Sequence, residues 1–336
     1  MDDCLAIAFS YLKITDILSC LLTCHQFYNI IHNYHIFDKL GKKEYSNCYD
    51  KLGQLSQNTG LTLYQLCYNL TKLNRLNMEN SISKLYETTA VYLDNKHIRF
   101  LPKQISLLTK VTYMDLTGNK ITDIKELSNL QSLVNLILTE NNIKNISGLN
   151  KLTNLESLEL GYNKIKNISD DLCNLTKLQE LKLDFNKIKE LPDTFTNLVN
   201  LTHLDLDDNA LTYFPIQICE LSKLNSLHMS CCWITEFPSQ ISKLTNLTCL
   251  TASLNRIVCI DNLCTLSNLR LLSLGHSKLR RLPDALTCLT NLQVLTLKID
   301  STSHNRKIVN TFSHINLHID YEEPEREVYD YNYMFD

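Results

Sequence analysis

The side chains with the clearest chemical potential in this 336-residue chain are carboxylates between residues 94 and 208. Their spacing places them on one face of a short-strand pattern, in which successive side chains alternate between two faces. Asp94, Glu180 and seven further acids share this face with a single base, Lys182. The residues that we take as candidates for partner contact are Tyr92, Tyr113, Asp115, Glu140, Glu159, Tyr162, Asp184, Phe185, Asp205, Asp207 and Asp208. An acidic face with aromatic anchors predicts a protein target with a basic surface, although solvated faces are often charged without any partner.

Imidazole and thiol groups follow on the same face further along the chain. They are His203, His228, Cys231, Cys249 and His276. A metal site needs three or four converging ligands, and these residues lack the paired local spacing of zinc motifs. The sequence contains no phosphate-binding loop, paired-histidine metal motif or nucleophile elbow. It therefore predicts no catalytic residue, no metal, no cofactor and no enzyme activity.

A repeated phrase, LxxLxLxxNxI, positions all of these side chains. It reads LESLELGYNKI from Leu155, LQELKLDFNKI from Leu178 and LTHLDLDDNAL from Leu201, with successive copies 22 or 23 residues apart. A period of this length with this phrase is typical of leucine-rich repeats, and the chain resembles that family. The resemblance implies an α/β fold, a right-handed solenoid of about ten to eleven repeats over residues 88–320 with a parallel sheet on its concave face.

Each copy of the phrase is expected to form one short strand and one return segment. The LxL core alternates as a strand does, and parallel neighbours need a return between them. Proline lacks a ladder donor and disfavours helix in the preceding residue, so each return should begin extended and contain at most a short helical turn. Five of the six prolines occupy one position of the repeat, namely Pro102, Pro192, Pro215, Pro238 and Pro283.

The asparagine at position nine of the phrase has a structural explanation. A tight inside corner leaves backbone groups that cannot reach water, and a side-chain amide offers both a donor and an acceptor for them. Cys232 and Ser277 break this predicted ladder, and Lys96 and Asp300 mark its ends. The predicted ladder residues are Asn119, Asn141, Asn163, Asn186, Asn209 and Asn255.

Composition argues against several classes of protein. The formal net charge of -3 gives no overall attraction to nucleic acid or membrane, and no run of about 18 apolar residues predicts a transmembrane helix. The N-terminus lacks the basic region of a signal peptide, so we interpret the 13 cysteines as reduced thiols of a cytoplasmic or nuclear protein. A row of lysines follows the opposite edge of the strands, but no aromatic rings or arginines are interleaved with it, and we predict no nucleic-acid binding. Its members are Lys120, Lys144, Lys164, Lys166, Lys187 and Lys189.

Residues 1–45 do not follow the repeat and show helical spacing in three short blocks. The segment FSYLKITDILSCLLTCHQFYNIIHNYHIFDKL resembles an F-box, without the usual opening Leu-Pro and with Phe27 and Phe37 where Trp is usual. The resemblance implies docking of a Skp-type adaptor of a cullin-RING ubiquitin ligase, with a repeat domain that holds the target. A plain helical cap on the first repeat is the alternative. The residues expected to contact the adaptor are Leu5, Phe9, Leu12, Ile17, Leu21, Leu22 and Phe27.

The remaining segments connect and close the repeats. Residues 46–87 carry an amphipathic stripe through Leu63, Leu66, Cys67 and Leu70, which predicts a helical connector and an N-terminal cap. Residues 321–336 form an acidic, aromatic tail, either disordered or covering the final repeat.

Two functions follow from this organisation. The first is a non-catalytic substrate-recognition subunit of an SCF-type ubiquitin ligase. The chain combines an F-box-like segment and leucine-rich repeats with a composition rich in lysine, asparagine and isoleucine. This combination is similar to that of F-box and leucine-rich-repeat proteins of giant DNA viruses of amoebae, and the resemblance would imply action in a host cell. The second is a protein-interaction scaffold or enzyme regulator without a ubiquitin link. Binding of the adaptor distinguishes the two.

Overall fold

The computed structural model describes residues 88–101, 105–106, 108–300 and 302–322. The chain divides into two compact units. Described residues 88–93 and 105–112 belong to the first unit, which includes strand β1 (Ala90–Tyr92). Described residues 94–101 and 113–322 belong to the second. The predicted F-box-like unit, the helical connector and all but the first two residues of the predicted tail lie outside the described residues, and these assignments stay predictions.

Ten strands of the second unit follow one another in sequence order. Each neighbouring pair is parallel, and the register joins equivalent positions of successive repeats, as in Leu136 with Leu158 and Leu158 with Leu181. The predicted parallel sheet of a leucine-rich-repeat solenoid is therefore confirmed. The strands are β2 (Tyr113–Asp115), β3 (Asn135–Ile137), β4 (Ser157–Glu159), β5 (Glu180–Lys182), β6 (His203–Asp205), β7 (Ser226–His228), β8 (Cys249–Thr251), β9 (Leu271–Leu274), β10 (Val294–Asp300) and β11 (Asn316–Glu322).

The return segments contain only short helical turns, as the prolines predict. Pro192, Pro215, Pro238 and Pro283 each precede a five-residue 3₁₀-helix, and Pro192 is extended, with φ -69° and ψ 157°. One return instead forms a four-residue α-helix, α1 (Asp170–Cys173). The 3₁₀-helices are Lys125–Asn129, Leu149–Lys151, Asp193–Asn197, Ile216–Glu220, Ser239–Lys243, Asp261–Thr265 and Asp284–Cys288.

The core of the second unit is a column of leucine and isoleucine side chains between the sheet and the returns. In the repeat from Leu178, Leu181 and Leu183 leave the strand inwards, while Phe195 closes the layer from the return, and all are fully buried. Removing such a side chain from water contributes about 1.5–3 kcal/mol, and each repeat supplies several. Because every layer packs only on its neighbours, the fold is a linear stack.

The predicted asparagine ladder is confirmed at all six positions. Asn186 donates from Nδ2 to the carbonyl oxygens of Leu160 and Leu183 at 2.9 and 3.0 Å. Its Oδ1 accepts the N–H of Ile165 at 2.9 Å, so one amide joins two successive repeats. Asn209 repeats this pattern with Leu183 and Ile188. The amides thus satisfy backbone groups that would otherwise be buried without partners. Each such unpartnered group would cost about 1–3 kcal/mol of stability.

The two broken positions of the ladder differ from each other. The thiol of Cys232 donates to the carbonyl of Leu206 at 3.4 Å and so keeps one bond between repeats. Ser277 is buried, and its hydroxyl has no hydrogen-bond partner in the described part of the chain. Neither side chain accepts the backbone N–H that an asparagine would accept, which belongs to Leu211 in the first case and to Ile257 in the second. Ser277 is therefore the weaker joint.

The last repeats close differently from the others. Strands β10 and β11 are seven residues long and pair along their whole length. Between them lies α2 (Ser303–Thr311), which the sequence pattern did not predict and whose first turn is capped by the Thr302 side chain. Asn305 on this helix is fully buried, accepts the Leu282 N–H at 2.9 Å and donates to the Arg280 carbonyl at 2.8 Å. The helix thus satisfies backbone groups of the preceding return.

Ser277→Asn should restore the missing amide and raise the free energy of unfolding by about 1 kcal/mol, because the new side chain can accept the Ile257 N–H and donate to carbonyls of two repeats. Urea denaturation followed by far-UV circular dichroism measures the change. The matched reverse variant, Asn209→Ser, should lower the free energy of unfolding by about 1–3 kcal/mol. An unchanged or lower stability of Ser277→Asn would contradict this role of the ladder.

Candidate protein-binding face

Position eight of each repeat, directly before the ladder asparagine, has a left-handed backbone. The φ angle is positive there in nine successive copies, from Asn95 at 56° to His276 at 55°. This conformation tightens the corner after each strand and directs the side chain outwards. Sequence reasoning missed this feature, although Asn95 and Gly118 at this position are residue types that favour it.

Two aromatic rings at position eight form an exposed apolar pair in the acidic half. Tyr162 and Phe185 stack with ring centroids 4.1 Å apart and an interplanar angle of 14°. They are 47% and 42% exposed, respectively. The corner geometry of successive repeats brings them together, because equivalent positions of parallel neighbours are adjacent in space. Two predicted contact residues therefore form one platform.

Carboxylates surround this platform. Desolvation of the phenol, followed by the negative charges of Asp184, Asp208 and Glu140, raises the pKa of Tyr162. The Asp184 carboxylate lies over Gly161, where an added Cβ would be 2.4 Å from its Oδ1. A glycine at that point of the neighbouring repeat thus makes room for the acid. Negative charge beside aromatic faces is the arrangement that attracts a cationic side chain.

The central carboxylates are crowded enough to resist ionisation. Partial burial, followed by the negative charge of Asp205, raises the pKa of Asp207 to about 7. The same two causes raise the pKa of Asp184 to about 6. Burial also raises the pKa of Asp208. An incoming positive charge would favour the ionised forms, so cation binding and proton release are coupled at this face.

Some predicted contact residues have structural partners. Glu159 accepts from Lys182 at 3.0 Å, and the same lysine lies 3.1 Å from Glu180. Asp115 accepts the N–H of Thr117 at 2.9 Å, and Asp205 accepts that of Asp207 at 3.0 Å. These bonds brace the ends of strands. Lys182 divides the acidic face and offsets part of the negative charge of Glu159 and Glu180.

The other candidates belong to several different repeats. Tyr113 is half-buried on β2, and Glu140 is exposed at position eight of the next repeat. Asp207 accepts the backbone N–H of Ser230 from the neighbouring repeat. Tyr92, in the first unit, is 63% exposed. The structure thus groups Glu140, Tyr162, Asp184, Phe185, Asp207 and Asp208, which we call the acidic-aromatic patch.

The histidine-rich half of the face is a hydrogen-bonded network. Ser226 Oγ and His228 Nε2 are 2.9 Å apart, and His228 Nδ1 is 2.9 Å from Thr251 Oγ1. Ser253 and Ser273 bond through their hydroxyls at 2.9 Å. Across the described ranges, no group of three His, Cys, Asp or Glu residues is arranged to hold a metal ion. These hydrogen bonds hold the polar side chains of this half to one another.

Trp233 is also held within the repeat surface. The Arg256 guanidinium lies over its ring, 4.2 Å from the centroid, and the side chain is half-buried.

In the described part of the chain, no helix has the length and apolarity needed to cross a membrane.

A parallel-sheet solenoid with an outward row of acids and aromatics is a protein-interaction module. The chain belongs to the leucine-rich-repeat proteins, because the Leucine rich repeat family matches residues 131–188 and the Leucine-rich repeat region family matches residues 191–318. The F-box domain family matches residues 2–48. The chain thus combines leucine-rich repeats with an N-terminal match to the F-box domain. Among curated proteins, none matches the sequence at a significant level.

Several solved structures share the fold. A TDR receptor aligns with a TM-score of 0.63 and 20% identity, over 70% of this chain and 43% of its own. Internalin C2 of Listeria monocytogenes aligns with a TM-score of 0.54 and 25% identity, over 62% of this chain and 92% of its own. The functional domain of InlJ from the same organism aligns with a TM-score of 0.53 and 22% identity, over 72% of this chain and 56% of its own. These similarities support the solenoid alone.

Asp207→Asn should make the stability of the protein less dependent on pH. The folded pKa of Asp207, about 7, lies above the value of about 4 for an unfolded aspartate. The contribution of this group to stability is therefore fully present below about pH 4 and is lost as pH rises through the folded pKa. The amide cannot ionise, so the variant should be more stable than the parent at about pH 8 and lose less stability between about pH 5 and pH 8.

Urea denaturation at the two pH values measures this difference. Asp261→Asn is the matched control, because it removes an exposed carboxylate on a return segment, outside the patch. Equal slopes for the parent and Asp207→Asn would contradict the prediction.

Proposed function

We propose that this chain is the substrate-recognition subunit of an SCF-type cullin-RING ubiquitin ligase. The observation that carries the proposal is the order of the family matches, an F-box domain at residues 2–48 followed by leucine-rich repeats at residues 131–318. An F-box implies a Skp-type adaptor as partner, and the repeats imply a protein target. The chain itself performs no chemistry in this function and acts within the cytoplasm or nucleus.

The adaptor is proposed to dock on the apolar residues of the F-box-like unit. They are Leu5, Phe9, Leu12, Ile17, Leu21, Leu22 and Phe27. All of them fall within the residues that the F-box family matches. A unit of about forty residues buries too small a core to be stable alone, so a partner surface would complete it.

The intact chain should retain a purified Skp-type adaptor in a pulldown, and a chain lacking residues 1–45 should not. Leu21→Asp with Leu22→Asp should abolish retention, because two charges would be buried at the interface. Leu21→Met with Leu22→Met is the matched control and should preserve binding, since it conserves apolar volume. Circular dichroism establishes that the repeats stay folded in each variant.

Failure of the intact chain to retain any Skp-type adaptor would overturn the ubiquitin function. The chain would then be an interaction scaffold, and the target-binding proposal below would be unaffected.

The target is proposed to present a basic segment to the acidic-aromatic patch. The stacked Tyr162 and Phe185 offer an exposed aromatic surface, and Glu140, Asp184 and Asp208 surround it with negative charge. A cation over an aromatic face gains about 0.5–2 kcal/mol, according to how far it is desolvated. An arginine or lysine side chain of the target is therefore the ligand that this geometry favours.

Tyr162→Ala combined with Phe185→Ala should weaken binding of a fluorescent arginine- and lysine-rich peptide by roughly tenfold, since both aromatic surfaces are lost. Fluorescence anisotropy at low and high salt measures the affinity. Tyr213→Ala is the matched control, because Tyr213 is 53% exposed but lies outside the patch.

Charge reversal of Asp205, Asp207 and Asp208 together should also weaken peptide capture and reduce its salt dependence. Unchanged affinity in both the aromatic and the charge-reversed variants would remove the patch as the target site. An acidic peptide of equal length should not bind the parent chain.

A further inference from the structure

Two rows of opposite charge run side by side along the same repeats. The acidic-aromatic patch occupies positions seven and eight of the phrase, before the corner. The second row, which we call the lysine edge, occupies positions ten and twelve, after the corner. Only the buried ladder asparagine lies between them along the chain. The lysine edge consists of Lys120, Lys144, Lys164, Lys166, Lys187 and Lys189.

Among the described residues, no ion pair joins either row to a group of opposite charge. All lysines of the edge except the half-buried Lys187 are exposed. The ion pairs among the described residues involve Lys125, Lys182 and Lys243, none of which belongs to the lysine edge. No carboxylate of the patch takes part in them either. Two adjacent rows of opposite sign therefore remain available for an external partner.

We infer that a second copy of this chain occupies both rows and forms a two-fold symmetric dimer. A rotation of 180° about an axis parallel to the rows reverses their order on the facing copy. Each patch then faces the lysine edge of the other copy, and both contacts form at once, as an isologous interface requires. A two-fold axis perpendicular to the rows in the plane of contact would instead oppose like charges.

The two rows also match in the three repeats that begin at Leu133, Leu155 and Leu178. With the axis parallel to the rows, each repeat faces the same repeat of the second copy. Glu140 then lies opposite Lys144 of the second copy, and Tyr162 opposite Lys164. Phe185 lies opposite Lys187 and Lys189. The exposed aromatic pair thus acquires cations, which explains why rings and acids share one row.

The size of the surface predicts a weak, salt-sensitive dimer. Strands β2 to β6 carry the two rows, and at about 4.8 Å between neighbouring strands they span roughly 20 Å. An interface of this length is small compared with stable dimer interfaces, so long-range charge attraction contributes much of the affinity. The dimer and a basic target would compete for the patch, but the dimer does not depend on the ubiquitin function.

Sedimentation velocity of the full chain at about 50 mM and about 500 mM salt tests the dimer, because screening at high salt shortens the range of charge attraction. We expect dimers at low salt and monomers at high salt. Two charge-reversed variants should each be monomeric at low salt, with at least a tenfold weaker self-association. One carries Lys144→Glu, Lys187→Glu and Lys189→Glu. The other carries Glu140→Lys and Asp184→Lys, together with Phe185→Lys in place of the neutral ring, at the repeats that face those lysines.

The two variants mixed in equal amounts should form a heterodimer at low salt, since every reversed row then meets its opposite. A matched control with Lys151→Glu, Lys177→Glu and Lys223→Glu changes the same number of exposed lysines on the return segments and should dimerise as the parent does. A parent chain that stays monomeric at low salt would overturn the inference, as would dimers that persist in either variant. Failure of the mixture to dimerise would also overturn it, provided that circular dichroism shows both variants folded.

Discussion

The buried asparagine amide is the interaction on which the rest of the structure depends. Every corner after a strand turns too tightly for its backbone groups to reach water, and the amide gives those groups both a donor and an acceptor. Asn186 and Asn209 each bond to their own repeat and to the preceding one. The corner fixed in this way determines which side chains project from the positions before it and which project from the positions after it. The charge rows are consequences of that geometry.

Much of the fold could be predicted from the sequence because its causes are local and periodic. The LxL alternation defines the strands, the prolines define extended returns, and position nine defines the ladder. The helix α2 escaped prediction because it interrupts the period, and its buried Asn305 bonds to a return rather than to the corner. Few elements depart from the repeat pattern, because each layer of such a stack contacts only its neighbours.

The candidate site was predictable in composition but not in arrangement. The outward positions of the phrase identify the acids and aromatic residues of this face, but the phrase could not show that Lys182 bonds to Glu159 and Glu180. It also could not show that Tyr162 and Phe185 stack, since ring orientation depends on the left-handed corner. The histidines and thiols illustrate the same limit. Their spacing gave no reason to expect a metal site, but it also could not show that His228 joins the hydroxyls of Ser226 and Thr251.

The left-handed corner also restricts how recognition can vary during evolution. β-Branched side chains tolerate a positive φ poorly, and the nine copies contain no valine, isoleucine or threonine at position eight. Asparagine, glycine, acids, aromatic rings, cysteine, leucine and histidine all occur there. New specificities at this position must therefore be drawn from a reduced set of residue types. The same backbone constraint that shapes the repeat limits the repertoire of partners that substitutions at its most exposed corner can reach.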